Sequence, residues 1–330
     1  MDIILILINS LLFFAGLLLL YIGAELLVRG SSRIALMLRI SPIIVGLTVV
    51  AFGTSSPEFL VSFFAAYKGN IDISVGNIVG SNIANIGLVL GFSALLRPIS
   101  RLKDSIKNEL IWVTAVSILF WIFAMDNSVG HFEGGILFFG IILFTVLLIR
   151  TSINNRSQQS TEDIPHVDTG WSFIDSLSNK SKVIIFLIWT IIGIIVLGYG
   201  SKVTIDSATA IAEELGISQV IIGLTMVAFG TSLPELATGI ISVIKKENEL
   251  LVGNVIGSNL FNILGVAGPI ALFFPIPITE SVIWADFPVM LAFTFLLIIV
   301  MFGIGKINRF IAGILFLGYL TYMTLIVITR

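Results

Sequence analysis

The chain contains no cysteine, which removes disulfides, thiolate metal ligands and cysteine nucleophiles from its chemistry. It has only two histidines, His131 and His166, too far apart in sequence to suggest a site, and both read as surface residues. Charge is scarce as well: 12% of residues are charged against 57% hydrophobic, and the mean hydropathy is +1.08. So few polar groups cannot coat a soluble globule of 330 residues, so the composition is that of a polytopic membrane protein. A net charge of −2 leaves no basic patch for nucleic acid. The N-terminal stretch MDIILILINSLLFFAGLLLLYIGAELLV lacks a basic n-region and a small-residue cleavage site, and reads as a first membrane span rather than a signal peptide.

What the sequence does contain is one passage written twice. GLTVVAFGTSSPE at 46–58 returns as GLTMVAFGTSLPE at 223–235, and GNIVGSNIANI at 76–86 returns as GNVIGSNLFNI at 253–263, both at an offset of 177 residues. Of the fifteen aligned pairs from Ile44/Ile221 to Glu58/Glu235, twelve are identical, more than two arbitrary apolar helices share by composition. The chain is a duplicated domain in which each copy carries a carboxylate inside an apolar segment.

Apolar segments separated by short charged stretches predict ten spans, at about 3–27, 41–67, 72–96, 109–126, 132–149, 182–205, 218–244, 250–273, 281–302 and 308–328. The long polar stretch 151–181 separates five spans from five, giving a first repeat over 1–150, a cytoplasmic linker, and a second repeat over 182–330. Its acids Glu162, Asp163, Asp168 and Asp175 are too scattered for a calcium loop and read as solvated linker. Placing Arg29, Arg33 and Arg39 in a cytoplasmic first loop puts fifteen of the eighteen basic residues inside. Lys68, Lys202 and Arg330 are then outside, and both termini are extracytoplasmic. Five is an odd number, so the second copy enters the membrane from the opposite side. Arg29 and Arg33 align with Asp206 and Ala210, where a loop on the other side has no use for positive charge. The predicted fold class is an all-α polytopic membrane protein of ten helices in two inverted five-helix repeats. Many secondary transporters share this plan and place their substrate site at the midplane.

Glycine and proline within GTSSPE and GTSLPE predict that spans two and seven are broken helices. Gly53 and Gly230 would tolerate unusual backbone angles, while Pro57 and Pro234 withdraw a donor and release an upstream carbonyl. Glu58 and Glu235 then fall in the first turn of each downstream half-helix, where the helix dipole favours negative charge. Thr54, Ser55, Thr231 and Ser232 add hydroxyls one turn away. In spans three and eight, Ser81 and Asn85 lie four apart on one helix face, as do Ser258 and Asn262, while glycines 76, 80 and 87 would let backbones approach. Asn77 and Asn254 could serve this site or simply bond neighbouring backbone. Two carboxylates, hydroxyls, amide oxygens and carbonyls form a hard-ligand set that suits Ca²⁺ and Na⁺, and without imidazole or thiolate suits Zn²⁺ or Cu⁺ poorly. A glutamate near mid-membrane is costly unless paired, wet or protonated, so two at equivalent places point to function. Spans four, five, nine and ten are read as having no internal acid.

These paired motifs resemble the two alpha-repeats of the cation/calcium exchanger superfamily, specifically its sodium/calcium exchanger branch of prokaryotic type, over almost the whole chain. The resemblance implies antiport of Ca²⁺ against several Na⁺ at four clustered sites between the repeats, in a cell-membrane protein with no cofactor. It makes Glu58 and Glu235 the central carboxylates, with Thr54, Ser55, Ser81, Thr231, Ser232 and Ser258 lending side-chain oxygens and Ala51 and Ala228 lending carbonyls. Asn85 and Asn262 occupy the middle positions. Potassium-dependent exchangers and several prokaryotic members carry aspartate where this chain has Asn262, so the position argues against potassium dependence. The same resemblance makes spans one and six the expected moving helices. Alternatives remain: a proton-coupled Ca²⁺ or divalent exchanger, which could use the same glutamates, and a cation channel with an acidic filter. A channel is usually built by symmetric assembly, whereas this chain holds its own pseudo-symmetry, which argues against a channel; a monomer is compatible with the sequence, which does not fix the oligomeric state. No nucleophile–base pair, nucleotide motif or catalytic metal cluster suggests an enzyme.

Overall fold

The computed structural model describes residues 3–99, 106–158, 177–216 and 228–329. Outside them fall Arg101, Lys103, the linker acids Glu162, Asp163, Asp168 and Asp175, His166, Arg330, and residues 217–227 at the start of the expected seventh span. The described chain forms α1 (Ile3–Leu38), α2 (Pro42–Thr54), α3 (Ser56–Tyr67), α4 (Ile71–Leu96), α5 (Lys107–Ala124), α6 (His131–Gln158) and α7 (Asn179–Glu214). It continues as α8 (Ala228–Thr231), α9 (Leu233–Ile244), α10 (Asn248–Phe273), α11 (Val282–Gly303) and α12 (Arg309–Thr329). Among the described residues eight helices are long and apolar enough to cross a membrane, and α2 with α3, bent by 44° at Ser55, makes a ninth. Of the remaining expected span, the seventh at 218–244, only α8 and α9 are described.

Helices run further than hydropathy suggests. α1 continues past 27 to Leu38, so Arg29 and Arg33 lie within a helix and not in a loop; Arg29 pairs with Glu25 one turn earlier, at 2.5 Å. α6 extends to Gln158 and α7 starts at Asn179, both inside the polar stretch 151–181. The i→i−4 ladder does not end where the side chains turn polar, because a helix leaving an apolar slab continues into water. Among the described residues four π-helical turns interrupt the α-helices, at Gly46–Val50, Asn85–Leu90, Phe261–Ala267 and Val282–Asp286.

α1 and α7 lie antiparallel, backbone to backbone. A Cβ on Gly16 would sit 2.8 Å from the Thr204 nitrogen, one on Gly200 2.9 Å from the Leu20 nitrogen, and one on Gly193 2.6 Å from the Leu27 nitrogen. Gly16 and Gly193 are equivalents at the 177 offset, as are Gly23 and Gly200, so each contact in one copy is answered by its counterpart in the other. Small residues are what allow such approach where lipid removes the hydrophobic drive between helices. The outer faces of these helices are apolar, with Leu11, Phe14 and Ile195 more than half exposed, as a lipid-facing surface requires. α1 is further tied to the α9–α10 turn. Lys245 donates to Glu25 at 2.7 Å, and the Ser32 hydroxyl donates to Glu247 at 2.6 Å.

α2 crosses α10 through glycines. A Cβ on Gly46 would meet the Leu250 carbonyl at 2.6 Å, and one on Gly253 the Ile43 carbonyl at 2.5 Å. The loops are tied in the same crossed sense: β1 (Ser128–Val129) pairs antiparallel with β2 (Ile276–Pro277), while Ile99, the equivalent of Ile276, bridges to Ile307. One expectation fails. Span nine does carry an internal acid, Asp286, buried at the α11 π turn, where it accepts a hydrogen bond from the Tyr322 hydroxyl at 3.0 Å. That partner lies on α12, so the acid is accommodated by a helix that a span-by-span reading does not consider.

Candidate cation site

The breaks in the two duplicated helices are alike to within a few degrees. Ser55 has φ −87° and ψ 6°, Ser232 φ −84° and ψ 4°, and two residues after each comes proline and then glutamate, in the first turn of α3 or α9. Proline has no N–H to give the carbonyl four residues back, so the break sits where the sequence puts it. Gly53 and Gly230 play a different part from the one expected. Both are helical with no positive φ; a Cβ on Gly53 would collide with Ile194 and one on Gly230 with Ile205, so each leaves space for a side chain of α7. The Ser201 hydroxyl of α7 also donates to the Gly230 carbonyl, at 2.8 Å.

The two elbows meet. Glu58 and Glu235 are each 1% exposed and within electrostatic reach of one another, and Ser55 donates to Glu235 Oε1 at 3.1 Å. Thr54 donates to Asn254 Oδ1 at 3.3 Å, and its equivalent Thr231 donates to Asn77 Oδ1 at 3.1 Å. Asn77 and Asn254 therefore join the elbow of one copy to the third span of the other. Asn77 is held further: its amide donates to the Ser62 hydroxyl at 2.9 Å and to the Glu58 carbonyl at 3.2 Å. Deeper in, Asn85 donates to Asn259 Oδ1 at 3.0 Å, and Asn259 donates to the Asn82 carbonyl at 3.3 Å. Asn82 and Asn259 were not among the expected site residues, although both stand in the duplicated GSN motif that could have marked them. Ser62 has no counterpart, since position 239 is glycine, and so carried no signal.

Several oxygens in this cluster are buried without a hydrogen-bond partner among the described residues: Glu58 Oε2, Glu235 Oε2, Asn85 Oδ1, and the hydroxyls of Ser81, Ser232 and Ser258. Neither amide atom of Asn262 has one either. The Ala51 carbonyl accepts from the Ser55 N–H at 3.0 Å, and Ala228 opens α8 at the equivalent place. Among the described residues no lysine, arginine or histidine pairs with either glutamate, and no group of three or more Asp, Glu, His or Cys comes together. An imidazole or thiolate metal centre is thus not what these residues build. Two unpaired buried carboxylates beside unmet neutral oxygens fit a hard cation, whose charge supplies the partner that the protein withholds. An apolar cavity of about 940 Å³ is bordered by Phe52, Ser56, Phe138, Ile194, Gly257 and Phe261, and neither site glutamate lines it.

The description "Sodium/calcium exchanger protein" belongs to the family that matches residues 8–150 and 185–328, which is nearly the whole of both copies. Inner membrane protein YrbG of Escherichia coli is 35% identical over 280 residues, covering 85% of this chain and 84% of that protein. The Ca(2+)/H(+) antiporter ChaA of Bacillus subtilis is 26% identical over 269 residues, covering 74% and 72%. Among solved structures, the sodium-calcium exchanger NCX_Mj soaked with Na⁺ and Sr²⁺ superposes with a TM-score of 0.82 at 30% identity, over 98% of this chain and 99% of that one. Duplicated sequence, helical membrane fold and family match agree over the same residues, and the chain belongs to the sodium/calcium exchanger family of antiporters.

Proposed function

We propose that the protein exchanges Ca²⁺ for several Na⁺ across the cell membrane by alternating access, with the cations held between two inverted five-helix repeats. The observation that carries this reading is the pair Glu58 and Glu235, buried among hydroxyl and amide oxygens with no basic partner among the described residues. The crossed contacts of α1 with α7, of α2 with α10 and of the paired loops are what two halves related by a two-fold axis in the membrane plane would make. Bound cations relieve the cost of burying the carboxylates, so the site crosses the membrane interior readily when occupied and poorly when empty. Thr54, Ser55, Thr231, Ser232, Ser81 and Ser258 supply neutral oxygens, Ala51 and Ala228 carbonyls, and Asn85 and Asn262 the middle of the site. Both termini then face away from the cytoplasm and the linker 151–181 lies inside. The similarity to a Ca²⁺/H⁺ antiporter favours one second reading, coupling to protons instead of sodium.

Proteoliposomes loaded with Na⁺ and diluted into Na⁺-free medium with radioactive Ca²⁺ separate the two. Uptake that needs the outward Na⁺ gradient and survives a protonophore supports sodium coupling; uptake driven by a pH gradient without Na⁺ replaces it with proton coupling. In the same assay Glu58→Gln and Glu235→Gln keep size and an amide oxygen while removing one of two charges, and each abolishes Ca²⁺ exchange in a protein that stays folded. Changing Glu162 and Asp163 together to glutamine leaves transport near normal. Persistence of transport in both site variants would refute the proposed site.

A further inference from the structure

A buried serine or threonine in a helix has an acceptor at hand, the carbonyl four residues earlier. Ser31, Thr114, Ser117, Thr190, Thr204 and Thr294 all use it, at 2.6 to 2.9 Å. Ser93 and Ser242 and Thr238 do not. Ser93 and Ser242 are 0% exposed, as is Thr238, and none of the three hydroxyls has a hydrogen-bond partner among the described residues. The Ser93 hydroxyl faces α9, lying 2.9 Å from where Gly239 would carry a Cβ. On α9 itself, Glu235, Thr238 and Ser242 stand at i, i+3 and i+7, along one face of the helix. Ser242 is about 10 Å along the axis from Glu235 at the α-helical rise. α9 ends at Lys245 and Lys246, and α4 at Arg97, so the three hydroxyls lead from a site carboxylate toward one basic face of the protein.

The other copy carries its buried hydroxyls at different positions, Ser62, which is bonded to Asn77, and Ser74, which has no partner among the described residues. At the 177 offset Thr238, Ser242 and Ser93 correspond to Val61, Ala65 and Ile270. The equivalent packing is therefore made by apolar side chains, and packing alone does not call for hydroxyls that then go unbonded. The elbows and their carboxylates are duplicated; this row is not. We infer that Thr238, Ser242 and Ser93 line the passage by which Na⁺ or Ca²⁺ travels between Glu235 and the face bearing Arg97, Lys245 and Lys246 when the protein opens on that side. Neutral hydroxyls take the place of water oxygens around a moving cation without retaining it as a carboxylate would. This assignment rests on the exchange reading above and adds to it which side chains line the route on that face.

Because the chain has no cysteine, Thr238→Cys or Ser242→Cys supplies a single thiol in the full-length protein. A membrane-impermeant methanethiosulfonate reagent is applied to proteoliposomes from each face during Na⁺/Ca²⁺ exchange, with Lys246→Cys marking which face is which. The passage predicts modification from the Lys246 face alone, slowed by saturating Ca²⁺ and followed by loss of exchange. Separately, Thr238→Val with Ser242→Ala raises the Ca²⁺ concentration for half-maximal exchange offered from that face by about thirty-fold, the effect of losing two neutral hydroxyl contacts, and leaves the opposite face unchanged. Thr238→Ser alone keeps wild-type behaviour on both faces. Thiols that stay unreactive from both faces in a variant that still exchanges ions, or that react from the opposite face, overturn the assignment. A wild-type protein that moves no Ca²⁺ against Na⁺ refutes the exchange reading instead, and labelling from the Lys246 face remains a separate result. The two cysteine positions are independent, so misfolding at one leaves the other to decide.

Discussion

Replacing Asn77 by alanine should destabilise the protein far more than replacing Asn254, although the two are equivalents in the duplicated sequence and both are buried. The Asn77 side chain takes part in three hydrogen bonds, with Ser62, the Glu58 carbonyl and Thr231. That of Asn254 takes part in one, from Thr54 at 3.3 Å, and its amide nitrogen has no partner among the described residues. At about 1 kcal/mol net per neutral bond, Asn77→Ala loses about 3 kcal/mol and Asn254→Ala about 1 kcal/mol. Ser62→Ala removes one of the three and should cost about 1 kcal/mol by the same rule. Combined with Asn77→Ala it should add little, since the shared bond is already gone, and the shortfall in the double-mutant cycle measures that bond. The assay is thermal or denaturant unfolding of purified protein in one detergent at fixed ionic composition, because bound cations shift the apparent stability of every variant. Equal destabilisation by the two asparagine variants, or full additivity of Ser62→Ala with Asn77→Ala, would refute the reasoning from bond counts.

Gly193→Ala places a Cβ 2.6 Å from the Leu27 nitrogen and 2.8 Å from the Gly23 carbonyl oxygen, backbone atoms that cannot swing aside, and should cost about 1 to 3 kcal/mol in unfolding experiments. Gly198→Ala on the same helix meets nothing within 4 Å and should be neutral or stabilising by up to about 1 kcal/mol, so the pair separates close packing from helix propensity. Glu25→Gln breaks the ion pairs with Arg29 and Lys245; its melting temperature should fall modestly, and the gap from wild type should narrow as salt is raised. Exchange should proceed without K⁺ in the wild type, and Asn262→Asp should make it more strongly pH-dependent by adding a titratable group among the site oxygens; a requirement for K⁺ in wild-type flux assays would overturn that reading of position 262.

The breaks at Ser55 and Ser232 were legible because a proline acts on its own helix: the missing N–H is a local fact, and two copies of it at a fixed offset leave little room for chance. The role of Gly53 was not, because what it accommodates is Ile194, more than a hundred residues away on α7. Asn77 and Asn254 were ambiguous for a similar reason. A lone asparagine in an apolar helix can turn to its own backbone, as Asn82 does in donating to the Ile78 carbonyl at 3.0 Å, and only the fold brings a threonine of the other copy within reach. Nothing within its own span accounts for Asp286, because its partner Tyr322 lies on the last helix. α1 and α7 end beyond their hydropathy limits because hydropathy reports where the lipid stops, while backbone bonding continues as long as nothing interrupts it. The π turns carry no local signature; two of them begin at or beside Asn85 and Asn262, where one extra residue per turn re-aims the side chains of the site.

The glycine contacts between α1 and α7 have a bearing on leakage. Two helices that touch backbone to backbone at Gly16, Gly23, Gly193 and Gly200 have no layer of side chains between them to act as a lubricant. If the pair moves against the remainder, it moves as a single plank. A plank that presses down at one end lifts at the other, so closing one mouth and uncovering its opposite are one displacement. On the exchange reading proposed above, no signal then need pass between separate gates, and rigidity rather than timing would keep the two mouths from opening together.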